Sequence, residues 1–231
     1  MELDDLKVFI TLCIRLMRAL NRVLVTELLD SLSPEDPRAI RSRKDLSWID
    51  LFLGNSRWIV GQLERQNPAP ARIVEIGAGE GALCRKINAS LPSATVTGLD
   101  LIGRPGDLPA TIQWRSGDFF ETLPHCEADV CVGSLILHHF SDGALRDLGT
   151  RLHSFRCIAF CEPLRSRLPL ALSALSSVFM GEVTRHDMPV SIWAGFRPGE
   201  LPALLGLDSK NWELSESCHW RGSLRLIASR L

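Results

Sequence analysis

The sequence predicts an α/β chain in which a mostly parallel sheet carries helices on both faces. Three observations predict it. Residues Arg72–Leu91 read as a short apolar strand, a glycine-rich turn and a helix. Further apolar runs recur at Val96–Asp100, Ala128–Ser134 and Phe155–Pro163. Strand and helix patterns alternate along this part of the chain, as they do in sheets covered on both faces. Ligands of such sheets bind beyond the carboxyl ends of the strands. Glu75, Asp100, Asp118, Ser134 and Glu162 all fall at or near those ends.

The elements follow in order. Residues 1–66 read as an N-terminal helical extension and 67–231 as the main domain, with an insert at Leu164–Gly195. Within the extension, Leu3–Leu32 has apolar residues at helical spacing, among them Leu6, Phe9, Leu16, Leu24 and Leu28. Lys7, Arg15, Arg18, Arg22 and Glu27 interrupt it, whereas a membrane span needs about 20 mostly apolar residues. Docking on the domain, pairing with a second copy to form a homodimer, and peripheral contact with a membrane surface all stay open. Ser33–Pro37 ends this stretch, and the basic run Arg38–Lys44 reads as a solvated helix face. Leu46–Gln66 reads as a second helix anchored by Trp48, Leu51, Trp58 and Ile59, broken by Asn67-Pro68-Ala69-Pro70.

In the domain, Ile73, Val74 and Ile76 make the first strand, and Leu83, Ile87 and Leu91 give the helix its buried stripe. The segment Leu101–Gly117 carries Gly103, Pro105, Gly106 and Pro109, which cannot propagate a helix, and reads as a loop. The insert contains an apolar helix near Leu168–Met180, and Pro198–Leu205 reads as another. Trp212–Trp220 and Ser223–Ser229 read as two final strands joined by a turn at Gly222.

Composition bounds the function. The 231 residues are 45% hydrophobic and 23% charged, with a formal net charge of −1. This describes a globular domain with one large core, and the balance argues against nucleic acid as partner. The seven cysteines form no C-x-x-C pair and no zinc-type spacing, so no metal is expected from the sequence. Their odd number and the lack of a signal-peptide pattern point to a reducing cytoplasm.

The turn Gly77-Ala78-Gly79-Glu80-Gly81 fits two cofactor classes. Gly77, Gly79 and Ala82 satisfy the dinucleotide fingerprint, with Asp100 about 20 residues on as the ribose-binding acid. A pyrophosphate at this turn would meet Glu75 and Glu80, which repel it. A cofactor carrying an ammonium and a sulfonium would be attracted instead. In this light Glu75, Gly77, Gly79 and Gly81 resemble the first motif of class I S-adenosyl-L-methionine (SAM) methyltransferases. The downstream motifs occur in the same order. The resemblance implies a Rossmann-like seven-stranded sheet and a SAM site. In that site Glu75, Gly77, Ala78, Gly79 and Gly81 face the methionine end, and Asp100 and Leu101 the ribose. Asp118 takes the adenine amino group, Phe119 packs on its ring, and Ser134 lies nearby.

A second resemblance covers Val183–Phe196, VTRHDMPVSIWAGF. It is similar to bacterial small-molecule methyltransferases associated with polyketide or phenolic-lipid pathways, and implies a small aromatic or lipid-like acceptor. Leu137-His138-His139-Phe140-Ser141-Asp142 resembles the H-D-W-S-D loop of plant-type O-methyltransferases, which implies His138 as the catalytic base, with His139 where that family has an acid. The plain alternative is a histidine that caps the turn. His186 is a further catalytic candidate. As neighbours on a helix, His186 and Asp187 do not share a face and need not touch. Asp187 reads equally as a cap and as a substrate contact. The expected activity is methyl transfer from SAM, with oxygen favoured slightly over carbon. An NAD-linked oxidoreductase and a non-catalytic SAM-binding protein are the rivals.

Overall fold

The computed structural model describes residues 21–33 and 35–231. Most of the expected N-terminal helix, residues 1–20, lies outside them. Helices are α1 (Leu28–Ser31), α2 (Pro37–Leu53) and α3 (Asn55–Glu64), followed by β1 (Arg72–Ile76) and α4 (Ala82–Ser90). Then come β2 (Thr95–Asp100), β3 (Ile112–Ser116), α5 (Phe119–Thr122), β4 (Val130–Ser134), α6 (Asp142–Leu152) and β5 (Cys157–Pro163). The chain closes with α7 (Arg167–Ser176), α8 (Glu182–Ala194), α9 (Glu200–Leu204), β6 (Trp212–His219) and β7 (Ser223–Arg230).

The strands form one seven-stranded sheet in the order β3-β2-β1-β4-β5-β7-β6. All neighbours are parallel except β7, which runs antiparallel to both β5 and β6. The order reverses between β1 and β4, and there a crevice opens at the carboxyl ends. Every residue of β5 is buried, as expected for a central strand covered on both faces. One core lies under α6, with Leu145, Leu148 and Leu152 packed against Val74, Ile158 and Leu226. The other lies under α3 and α4, with Ile59, Leu63, Leu83 and Ile87 against Ile73, Val130 and Cys157.

Four elements differ from the sequence reading. Residues 21–27 are extended, and only Leu28–Ser31 coil. The β-branched Val23, Val25 and Thr26 disfavour helix there, and this strap bonds to α8 rather than to itself. The expected helix Leu46–Gln66 is two helices: α2 starts at Pro37 behind an Asp36 cap, and Gly54, at φ 69°, breaks it from α3. Within Leu101–Gly117, residues 101–111 are loop but Ile112–Ser116 pair with β2. The insert holds a second helix, α8, to which the sequence reading gave no bounds; it runs through Pro189. The final hairpin and its Gly222 turn lie where expected.

Candidate active site

Beyond β1 the chain turns through Gly77 at φ 65°. A Cβ there would stand 2.4 Å from the Ile136 side chain, so only glycine lets this turn pass beneath the β4 loop. Gly79 has open space on its Cβ side. Its amide donates to Asp100 Oδ2 at 2.7 Å, while Asp100 Oδ1 accepts from Ile102 N at 3.1 Å. The carboxylate at the end of β2 thus already grips the glycine turn, and each oxygen retains a lone pair for a further donor. Ala78 is buried and Leu101 is exposed. Ser134 is half-buried at the end of β4.

Glu75 is the unusual group. It is buried in β1, and its Oε2 has no hydrogen-bond partner among the described residues. Burial pushes its carboxyl up to about 8, with Cys84 pulling weakly the other way and Asp100 adding to the rise. A buried acid with an orphaned oxygen, preceding a glycine turn with open space at Gly79, fits a cationic ligand that would meet it as a carboxylate. Glu80 does not join it; it pairs with Arg43 of α2 at 2.6 Å. Asp118 caps α5 by accepting from Phe120 N at 2.8 Å. Phe119 is buried, stacked on Phe120 at 4.7 Å and edge-on to Phe140 at 5.1 Å, so its ring is engaged within the core rather than standing free.

On the other side of the crevice the β4 loop turns at Leu135, a non-glycine residue at φ 58°. Glu162, fully buried at the end of β5, holds the loop in that shape. Its Oε1 accepts from Ile136 N at 3.0 Å and Leu137 N at 2.8 Å; Oε2 accepts from His138 N at 3.2 Å and faces His138 Nδ1 at 2.8 Å. His138 Nε2 faces Glu27 Oε1 of the strap at 3.4 Å. Burial works to depress the His138 imidazole, but the two carboxylates outweigh it and raise it to about 9. Both carboxylates favour the protonated imidazole, against the neutral form that a general base needs.

The strap that supplies Glu27 is tied down residue by residue. Arg22 donates to Ala194 O, His138 O and Phe140 O, pairs with Asp142 at 2.7 Å and stacks over Phe196 at 4.8 Å. Val23 N donates to Trp193 O at 3.2 Å. Asp187 accepts from Leu28 N at 2.8 Å and Leu29 N at 3.0 Å, and Ser191 Oγ donates to Glu27. Of the motif Val183–Asp187, Asp187 alone among the described contacts holds the strap, where it caps the Leu28–Ser31 turn; the rest of the hold comes from Ser191, Trp193, Ala194 and Phe196. His186 does touch Asp187, through Nδ1 at 2.8 Å, a contact that helix geometry did not require. The contact needs no shared face, because a ring bent along the helix reaches its neighbour's carboxylate. His186 is half-exposed and does not line the cavity between strap and β4 loop.

That cavity, about 320 Å³, is lined by Leu24–Glu27, Asp30, His138, His139 and Ala194. The structure brings His138 and His139 together with Glu27 and Asp30, which the sequence did not single out. No spacing signal joins residues more than 100 positions apart.

Residues 69–156 match the model of an O-methyltransferase domain. Over 72 residues the chain is 36% identical to 8-hydroxyquercetin 8-O-methyltransferase of Mentha piperita, covering 30% of this chain and 19% of that enzyme. Among solved structures it resembles human N-acetylserotonin methyltransferase in complex with SAM. The TM-score is 0.61 at 20% identity, over 87% of this chain and 60% of that one. Mitomycin 7-O-methyltransferase MmcR gives 0.61 at 21% identity, over 89% of this chain and 61% of that one. The plantazolicin methyltransferase BamL gives 0.68 at 10% identity, over 87% and 92%. The chain has the fold of the class I SAM-dependent methyltransferases. It spans about three-fifths of the length of the first of these structures and a fifth of its curated relative. Among the described residues no helix is long and apolar enough to cross a membrane.

Proposed function

We propose that the chain transfers a methyl group from SAM to a hydroxyl of a small aromatic or lipid-like molecule, forming the ether and releasing S-adenosylhomocysteine and the hydroxyl's proton. The observation that carries this reading is Glu75: a buried acid with an unpartnered oxygen, beside the glycine turn and Asp100. A cofactor with an ammonium and a sulfonium suits it, and a pyrophosphate does not. SAM supplies an excellent leaving group, so the protein's task is alignment, worth about 7–11 kcal/mol in favourable cases.

In this reading Glu75 meets the methionine ammonium as a carboxylate, and Asp100 adds the ribose hydroxyls to its hold on Gly79. Asp118 lies at the adenine end. The acceptor takes the cavity under the strap, between apolar Leu24, Val25 and Ala194 and polar His138 and His139. Its mixed lining suits an aromatic ring bearing a hydroxyl. The oxygen preference is supported by the domain match and by the names of the Mentha piperita enzyme and of MmcR, which specify O-methylation. Incubation with labelled SAM and a panel of phenols, hydroxyquinones and phenolic lipids tests this. Label in an ether product supports the reading. Tight SAM binding with no transfer across the panel favours a non-catalytic SAM-binding protein instead.

A further inference from the structure

We propose that Glu27, His138 and His139 form a binding site for a divalent transition-metal ion of the zinc type. One ligand atom from each of the three lies within 4.8 Å of the other two. The separation between His138 Nε2 and Glu27 Oε1 has the size that shared coordination gives. A hydrogen bond between an imidazole nitrogen and a carboxylate closes to about 2.7–3.2 Å. Two donors on one tetrahedral ion, with bonds of about 2.0–2.2 Å, stand about 3.3–3.5 Å apart. His138 Nε2 and Glu27 Oε1 are 3.4 Å apart.

The supporting groups are those a metal site needs. Glu162, fully buried and fixed by three backbone amides, takes His138 Nδ1 at 2.8 Å. That holds the ring with Nε2 toward Glu27, where a metal ion would take the place of the Nε2 proton, in the carboxylate–histidine arrangement that orients metal-binding imidazoles. Ser191 Oγ donates to Glu27 Oε1, the same oxygen that faces His138, and so fixes the carboxylate in place. Asp30 Oδ2, 3.6 Å from His139 Nδ1, stands ready either to orient that ring or to complete the set. Two imidazoles and a carboxylate suit zinc, iron or copper better than magnesium or calcium. Three protein donors leave a coordination position, and it opens into the 320 Å³ cavity. That this position meets the methyl acceptor rests on the proposed function; ion binding itself does not.

The test is titration of the full chain, freed of metal with a chelator, with Co²⁺, read by visible d–d absorption. One equivalent is expected to bind and to be displaced by Zn²⁺. His139→Ala and Glu27→Gln, both at the rim rather than in the core, each weaken binding at least tenfold. Co²⁺ absorption that is absent, or unchanged in both variants, overturns the proposal. Thiolate charge-transfer bands in place of d–d bands alone would move the ion to a cysteine and overturn it equally. Calorimetry with SAM on the same samples keeps the two readings apart. Ion binding without SAM binding sinks the proposed function and leaves the metal site, and the reverse result does the opposite.

Discussion

Glu75 and Glu162 are both buried acids at strand ends, yet their surroundings give them opposite tasks. Glu162 is satisfied: three backbone amides and an imidazole surround it. It holds the β4 loop through its strained turn at Leu135. Glu162→Ala leaves those amides buried and unpaired and is expected to cost about 3–5 kcal/mol in urea unfolding. Glu162→Gln, which keeps an acceptor, should cost less. A loss under about 1 kcal/mol in the alanine variant would mean that the loop holds itself. Glu75 is unsatisfied, and its folded carboxyl sits near 8 against an ordinary 4.5. The folded state therefore keeps a proton that the unfolded chain releases. Its contribution favours the fold below about 4.5 and is lost as pH rises to about 8. Relative to Glu75→Gln, the natural protein should lose stability across that window. Parallel stability curves for the two would contradict the burial argument. A bound cation reverses the preference, so SAM binding near neutrality should release a proton, visible as a buffer-dependent heat.

At the scale of elements, the strap and α8 act together. Asp187, Ser191, Trp193 and Phe196 each hold one part of residues 22–29 over the cavity. Asp187→Ala removes the acceptor for two backbone amides, a loss of about 0.5–2 kcal/mol by analogy with helix caps. The expected sign is faster proteolysis within the strap while the global unfolding midpoint barely moves. Unchanged cleavage would show that the strap is held elsewhere. This level was the least legible in the sequence. The β1 turn, Asp100, the central strands and the terminal hairpin could be read directly, because periodicity and glycine placement are local signals. The strap could not: its apolar residues mimic helical spacing, and its extended form comes from partners on α8, about 160 positions away. For the same reason Glu27 and Asp30 escaped notice while His138 and His139 did not. Glu162 was visible as a strand-end acid, but its grip on the loop depends on β4 and β5 lying side by side.

For the whole molecule, sheet order does the organising. The reversal between β1 and β4 sets the glycine turn beside the β4 loop, and Ile136 packs where a Gly77 side chain would be. The proposed donor and acceptor regions therefore lie side by side at the carboxyl ends of β1 and β4. Helices α2 and α8 are tied to each other by Thr184 to Ser42 at 3.0 Å and Gly181 N to Asp45 at 2.8 Å. The charge at the turn selects the ligand: Glu75 and Asp100 favour a cationic cofactor over a doubly negative one. Titration calorimetry of the full chain with SAM, S-adenosylhomocysteine and NAD tests this most directly. SAM is predicted to bind, NAD not, and Asp100→Ala to weaken SAM by about 1–3 kcal/mol through unpaired ribose hydroxyls. Binding of NAD without SAM, or unchanged SAM affinity in the Asp100 variant, would contradict the account.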